Sequence, residues 1–353
     1  MERELVCTEA IREATLQCME EDDSVYLMGL GVPDPKAIFG TTQGLQELFG
    51  SKRVMDMPLS ENAMTGVAIG SAIAGKRPIL IHQRMDFTLL ALDQVINNAA
   101  KWHYMFDGIM KAPLVIRMMV GRGWGQGPQH SQSLQALYAQ IPGLKVVMPS
   151  TPYNSKGLLV AAIEDDNPVI FIEHRWIHGV KGHVPSEKYK IPLGKARTVY
   201  EGKDLTIISS SYMSLEAQRA VEYLQNQGLS IELIDLQSIR PLDTETMIHS
   251  VNKTGKVLVV DGAWKSFGVS AEIIALLTEE CWDSLKSPPK RLCFPEYPTP
   301  TSWILAQDYY PRAHNIVSAV CEMMEIPEMN IEELERSSVA TLDAPDCNFT
   351  GPF

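Results

Sequence analysis

Residues 145–172 read KVVMPSTPYNSKGLLVAAIEDDNPVIFI, and this stretch decides the fold class. A short apolar run from Lys145 to Val147 precedes a helical stretch from Ser155 to Ile163, and a second apolar run spans Val169 to Ile172. Short apolar strands that alternate with helices imply a largely parallel sheet covered on both faces.

The alternation continues outward on both sides. Before it lie a helix from Thr8 to Glu20, a strand from Val25 to Met28, a strand near Arg53 to Met55 and a helix from Ala63 to Ala74. Strands Ile79 to Ile81 and Leu114 to Met118 follow, each with its helix, Asp93 to His103 and Ser133 to Gln140. After it comes a polar segment with glycine and proline but no helical period, which reads as a connection. A second alternating region then begins at strand Leu205 to Ser209 and helix Leu215 to Gln227. It continues with strand Ser230 to Leu236, helix Thr244 to Lys253, strand Lys256 to Val260 and helix Ser270 to Glu279. The expected fold is α/β, two three-layer domains with mainly parallel sheets. The expected boundaries are 1–180, a linker at 181–203, a second domain at 204–327 and an acidic tail at 328–353.

A net charge of −12 argues against non-specific nucleic-acid binding or docking on anionic lipid, both of which need clustered Lys and Arg. The acidic N-terminus lacks the apolar core of a signal peptide, and no run approaches the ~18 apolar residues that span a bilayer, so the expectation is cytoplasmic. Six scattered cysteines without a C-x-x-C pair read as free thiols rather than zinc ligands. The glycine run GRGWGQG at 121–127 fails G-x-G-x-x-G in either register and reads as a flexible active-site loop.

Two residues carry candidate chemistry. Glu61 follows Ser60 at the start of a helix crowded with Ala63, Gly66, Ala68, Gly70, Ala72 and Ala74. Ser60 can cap that helix, and an acid in the first turn suits its dipole, so capping alone would account for Glu61. The small residues weaken an isolated helix and make sense where another backbone approaches closely. His130, in QHSQS, follows the glycine run, and a loop histidine is ordinarily solvated or merely hydrogen-bonded.

The surrounding text goes further. DMPLSENAMTGVAIGSAIAGKRP, DQVINNAAKWHYMFDG, APLVIR, QHSQS, PGLKVVMPSTPYNSKGLLVAAIEDDNPVIFIE, IPLGKA, SIRPLD and VDGAWKSFGVSAEI occur in this order. Together they resemble the beta subunit of the decarboxylating component of pyruvate, branched-chain and acetoin dehydrogenase complexes, over about residues 5–327. The resemblance implies a thiamine-diphosphate pyrimidine-binding domain followed by a transketolase C-terminal domain. It also implies an α2β2 assembly with thiamine diphosphate at the α–β interface. The alpha subunit of that family holds the diphosphate and magnesium through a G-D-G motif that this chain lacks, so the chain should be inactive alone.

By the same resemblance Glu61 hydrogen-bonds the aminopyrimidine ring, Phe87 packs on it, and Leu59 and Gln83 line the pocket. His130 matches a histidine near the thiazolium, a candidate to orient substrate or protonate intermediates. A family potassium site maps to Leu114, Ala162, Ile163, Asp165 and Asn167, although Asp165 and Asn167 alone read as a turn before Pro168. IDLQSIRPLD and DGAWKSFG should lie at or near subunit contacts. The chain departs from the family at Leu30, Gly31 and Ile81, where acids are usual, and at Arg84, where a small or apolar residue is usual. Arg84 could pair with a substrate carboxylate or phosphate, or form a structural salt bridge.

These features imply decarboxylation of a 2-oxo acid with transfer of the acyl group to a lipoyl carrier, with a lipoyl acyltransferase as a further partner. A split transketolase-like enzyme moving a ketol or acyl unit between small carbonyl compounds would use the same pocket. A scaffold that kept the fold and lost the cofactor is the third reading.

Overall fold

The computed structural model describes residues 3–123, 125–332 and 334. In chain order the strands are β1 (Glu4–Val6), β2 (Val25–Gly29), β3 (Val54–Met55), β4 (Arg77–His82), β5 (Val115–Val120), β6 (Lys145–Val147), β7 (Val169–His174), β8 (Lys181–His183), β9 (Arg197–Tyr200), β10 (Leu205–Ser209), β11 (Ile231–Asp235), β12 (Ser238–Arg240), β13 (Val257–Trp264) and β14 (Lys290–Phe294).

The first sheet has the order β12-β6-β7-β5-β4-β2-β3, parallel throughout except for β12. The second has the order β14-β13-β10-β11-β9, parallel except for β9. Every residue of β2, β5, β7, β10 and β11 is buried, as continuous apolar runs require when helices cover both faces. Helix Cys7–Glu21 packs against helix Pro152–Glu164 on one face. Lys156 is buried between them, its ammonium donating to Glu13 Oε1 at 2.6 Å and to the Pro185 carbonyl at 2.7 Å.

Several features depart from the sequence reading. The expected linker carries two strands: β8 returns to pair with β1, and β9 forms the edge of the second sheet. Within IDLQSIRPLD, β12 leaves the second region and adds to the first sheet beside β6. One apolar cluster therefore runs from Leu80 and Ile116 through Ile239 to Ile208 and Val259, and the two units share it. The helix expected from Asp93 to His103 is a π turn over Gln94–Ala99 followed by an α-helix over Ala100–Met105. Helix Ala313–Met324, which had no place in the reading from periodicity, packs on helix Tyr212–Asn226.

Cys7, Cys18, Cys281, Cys293 and Cys321 are free thiols; Cys347 and the tail from residue 335 lie outside the described residues. Among the described residues no helix is long and apolar enough to cross a membrane.

Candidate active site

In a parallel sheet, ligands gather beyond the carboxyl ends of strands where the chain reverses its direction of travel across the sheet. Here β2 to β3 runs one way and β4 to β5 the other, so the reversal falls between β2 and β4. The expected residues converge on that edge. Leu30 and Gly31 follow β2, Leu59 and Glu61 follow β3, Gln83 to Phe87 follow β4, and the glycine run with His130 follows β5.

Glu61 opens helix Glu61–Ile73 and is 8% exposed. Its carboxylate makes no hydrogen bond or ion pair with any described residue. Ser60 occupies the cap position but its side chain makes no capping bond, a departure from the sequence reading. Glu61 is therefore not engaged as part of a cap. Neither carboxylate oxygen is sealed from solvent, so water can solvate the group until a ligand donates to it. Leu59 is 75% exposed on the same edge.

Gln83 donates from Nε2 to the Leu30 carbonyl at 2.9 Å. Gly31, where an acid is usual, sits at φ +73°, and its N–H donates to Asp56 Oδ1 at 2.9 Å. The missing acids are thus replaced by a tight turn closed by Asp56 and Gln83. Phe87 lies in the 3-10 segment Met85–Ala91, which packs against helix Glu61–Ile73. Its ring meets the His130 ring edge-on, with centroids 5.4 Å apart and planes at 88°.

Arg84 is 3% exposed. Nη1 donates to the Gly121 carbonyl at 2.6 Å and Nη2 donates to Gln126 Oε1. Among the described residues the salt bridge weighed for it does not form. Burial and the neighbouring Arg175 push its guanidinium down to about 10, so it stays charged at neutral pH.

Gly121 and Gly123 are packed rather than open, where the sequence reading had a flexible loop. A Cβ on Gly121, at φ +94°, would stand 2.6 Å from His174 Cε1, and one on Gly123 would stand 2.8 Å from Arg175 Nη1. The run needs glycine because the backbone lies directly on His174 and Arg175. On its other side Arg122 donates to the carbonyls of Pro300 (3.0 Å) and Thr301.

The helix of small residues is half-buried. Ala68, Ile69 and Ala72 face the core, while Ala63, Val67, Gly70 and Ala74 are exposed, and nothing lies within 4 Å of a Cβ placed on Gly70. Among the described residues nothing approaches Gly70 on that face, so the close packing expected of this helix is not met there.

At the expected potassium site the carbonyls are already in use. Leu114 accepts from Val169 N (2.9 Å), Ala162 from Asp165 N (3.3 Å), and Ile163 and Asp165 from Arg77 Nη1 (3.1 and 3.0 Å). Lys145 pairs with the Asp165 carboxylate, whose Oδ1 accepts from Asn167 N at 2.9 Å, the turn expected before Pro168. Among the described residues no group of three or more His, Cys, Asp or Glu could hold a metal ion. A cleft of about 1300 Å³ lies elsewhere, lined by residues such as Tyr104, Arg240 and Phe267, and includes none of Glu61, Phe87 or His130. Phe267, in DGAWKSFG, is 95% exposed.

Asp86 was overlooked in the sequence. It is 8% exposed between Arg84 and Phe87, and its adjacency to the pocket aromatic was the available signal.

Residues 3–178 match the pyrimidine-binding domain of transketolase, and residues 194–316 match the transketolase C-terminal domain. The chain is 41% identical over 335 residues to the acetoin:2,6-dichlorophenolindophenol oxidoreductase subunit beta of Cupriavidus necator, covering 92% of this chain and 99% of that one. It is 42% identical over 312 residues to the pyruvate dehydrogenase E1 component subunit beta of Porphyra purpurea, covering 88% and 94%. The 2-oxoisovalerate dehydrogenase subunit beta of Bacillus subtilis is 42% identical over 291 residues, covering 82% and 89%. A solved split-gene transketolase, described as an inactive beta4 tetramer, shares the fold at TM-score 0.76 and 22% identity, covering 91% of this chain and 99% of that one. The chain belongs to the family of beta subunits of thiamine-diphosphate-dependent 2-oxo acid dehydrogenases.

Proposed function

We propose that this chain, joined to an alpha subunit in an α2β2 assembly, oxidatively decarboxylates a small 2-oxo acid and passes the acyl group to a lipoyl carrier. The observation that carries this reading is Glu61, a buried carboxylate without a protein partner at the sheet edge that also holds Phe87 and His130. That arrangement fits an aminopyrimidine: Glu61 would share a proton with a ring nitrogen, Phe87 would pack on the ring, and Leu59 and Gln83 would border it. Bound thiamine diphosphate supplies the electron sink for loss of carbon dioxide. His130, held against Phe87, would orient substrate or protonate at the reacting carbon. The diphosphate and magnesium fall to the alpha subunit, since this chain lacks G-D-G.

The exposed face Ala63, Val67, Gly70 and Ala74 supports a partner helix packing there, where small residues let backbones meet. Exposed Leu59, Tyr104, Ile109 and Phe267 support further covered surface. The relatives favour the dehydrogenase reading over ketol transfer. Retention of an unpartnered acid beside Phe87 and His130 speaks against a scaffold.

The test is to assemble the chain with an alpha-type subunit that carries G-D-G and supply thiamine diphosphate and magnesium. Pyruvate, 2-oxoisovalerate and acetoin are then offered with dichlorophenolindophenol, and a ketose with an aldehyde acceptor as the comparison. Dye reduction by the pair and none by the isolated chain is expected. Faster ketol transfer would overturn the assignment, and so would failure of the pair to bind the cofactor in a calorimetric titration.

A potassium ion on the carbonyls of Leu114, Ala162, Ile163, Asp165 and Asn167 would brace the loop before β7, sharing two of them with Arg77. Replacing potassium by choline at equal ionic strength should then lower Tm by about 1–2 °C, on the scale of about 1 kcal/mol. An unchanged Tm would leave the bracing to Arg77 and Lys145.

A further inference from the structure

The segment that carries Phe87 grips the loop that carries His130 at several points along its length. Arg84 holds its start through the Gly121 carbonyl at 2.6 Å and its middle through the Gln126 amide oxygen. Asp86 holds the far side of His130: its Oδ1 accepts from Gln132 Nε2 at 2.9 Å and from Gln132 N at 3.3 Å. Two further ties follow in sequence, Leu134 N to Met85 Sδ at 3.1 Å and the Thr88 hydroxyl to that of Tyr138. Within the gripped span, Ser131 Oγ donates to the Gln126 carbonyl at 3.0 Å, drawing residues 126–131 into a closed turn. His130 sits in that turn.

We propose that Arg84 and Asp86 are positioning residues which fix His130 against Phe87, and that Arg84 does not receive the substrate's carboxylate. The argument is geometric. A substrate anion reaching Arg84 would have to enter a site where the side chain is 3% exposed. Two of Arg84's N–H groups, one on each terminal nitrogen, are already committed to the loop. The two residues stand either side of Met85, one with fork-like donors and the other with acceptors, so together they engage a main-chain carbonyl, an amide oxygen and a main-chain N–H. This is the pattern that defines a backbone path rather than one that captures a ligand. The Asp86 carboxylate could not replace Arg84, because it has no proton to offer the Gly121 carbonyl.

The inference rests on the reading of His130 as a group at the reacting carbon, so its test has an arm that does not depend on activity. Hydrogen exchange is followed over residues 121–132 in the assembled complex, beside steady-state kinetics with pyruvate and dichlorophenolindophenol. Arg84→Met and Asp86→Ala should each speed exchange over 121–132 by about tenfold. They should lower kcat by roughly tenfold to a hundredfold while KM stays within about threefold. Asp86→Asn, which keeps the Oδ1 acceptor, should recover most of the Asp86→Ala loss. Gln126→Ala and Gln132→Ala each remove one side-chain bond of the grip from the half-exposed loop side, where the core is untouched, and leave the bonds to the Gly121 carbonyl and the Gln132 N–H in place. They should reproduce part of the exchange effect even if a core variant fails to fold. Arg84→Met combined with Gln126→Ala should be little worse than Arg84→Met alone, because Gln126→Ala removes a bond that Arg84→Met has already broken. A raised KM with intact kcat in Arg84→Met would make Arg84 a substrate ligand and overturn the proposal. Unaltered exchange in the loop-side variants would overturn it too. If the wild-type complex turns over no substrate offered, the functional reading fails while the exchange arm still judges the latch.

Discussion

Glu61→Ala and Glu61→Gln, each assembled with the alpha subunit, should turn over roughly 10²–10⁴-fold more slowly than wild type, the range that a positioned acid–base group contributes. The physical reason is that the buried acid has no protein partner, so its orientation serves whatever is placed opposite it. Glutamine keeps the shape and one acceptor but cannot exchange a proton, so Glu61→Gln separates hydrogen bonding from proton transfer. Neither change breaks a cap, because Ser60 and not Glu61 stands at the cap position and no side-chain capping bond forms there. Removing an unpartnered buried charge should leave Tm unchanged or raise it slightly. Wild-type turnover in both variants would remove Glu61 from the mechanism. A large fall in Tm would make its role structural.

Acidification should destabilise the fold through two buried histidines. Burial pushes His82 down to about 4, where its Nε2 stands 3.5 Å from Thr65 Oγ1. His174 is pushed down to about 3, by burial first and then by the charges of His178, Arg312 and Arg84. Its Nδ1 accepts from Trp176 N at 3.1 Å, which requires that nitrogen to be unprotonated, and its ring stacks on Tyr212. In the unfolded chain a histidine titrates near 6.5. Below that pH the unfolded state binds a proton that the folded state refuses. The stability is therefore whole above pH 6.5 and is lost as pH falls toward each folded value. At about 1.4 kcal/mol per unit for each group, the two cost together about 4 kcal/mol at pH 5. That is a large part of a typical folding free energy. Asp235 and Asp261, whose carboxyls burial pushes up, act in the opposite direction, so the informative quantity is a difference between variants. His82→Phe should remove about half of the urea-midpoint loss between pH 7 and pH 5. An identical pH dependence in wild type and variant would show that His82 is not held neutral.

Much of the fold was legible because the signals are local. Strand and helix periods repeat within a dozen residues, so the alternation from Val25 to Val260 could be read directly, and strand ends differ from expectation by only a few positions. Short pieces without their own period were not legible. Strands β8, β9 and β12 exist because distant partners, at residues 4–6, 231–235 and 145–147, offer them an edge.

The sequence by itself determined the class of fold and the family, and it pointed to Glu61, Phe87 and His130 as candidate pocket residues, because the ordered motifs around them persist in the text whatever the chain does in space. Only the tertiary structure decided that Glu61 lacks a partner, that the glycine run lies against His174 and Arg175, and that Arg84 is bonded to a loop 37 residues away. Those facts depend on which strands become neighbours in the sheet. Burial then forces each buried polar atom brought together to find a partner or go without, and no local pattern encodes which of these occurs.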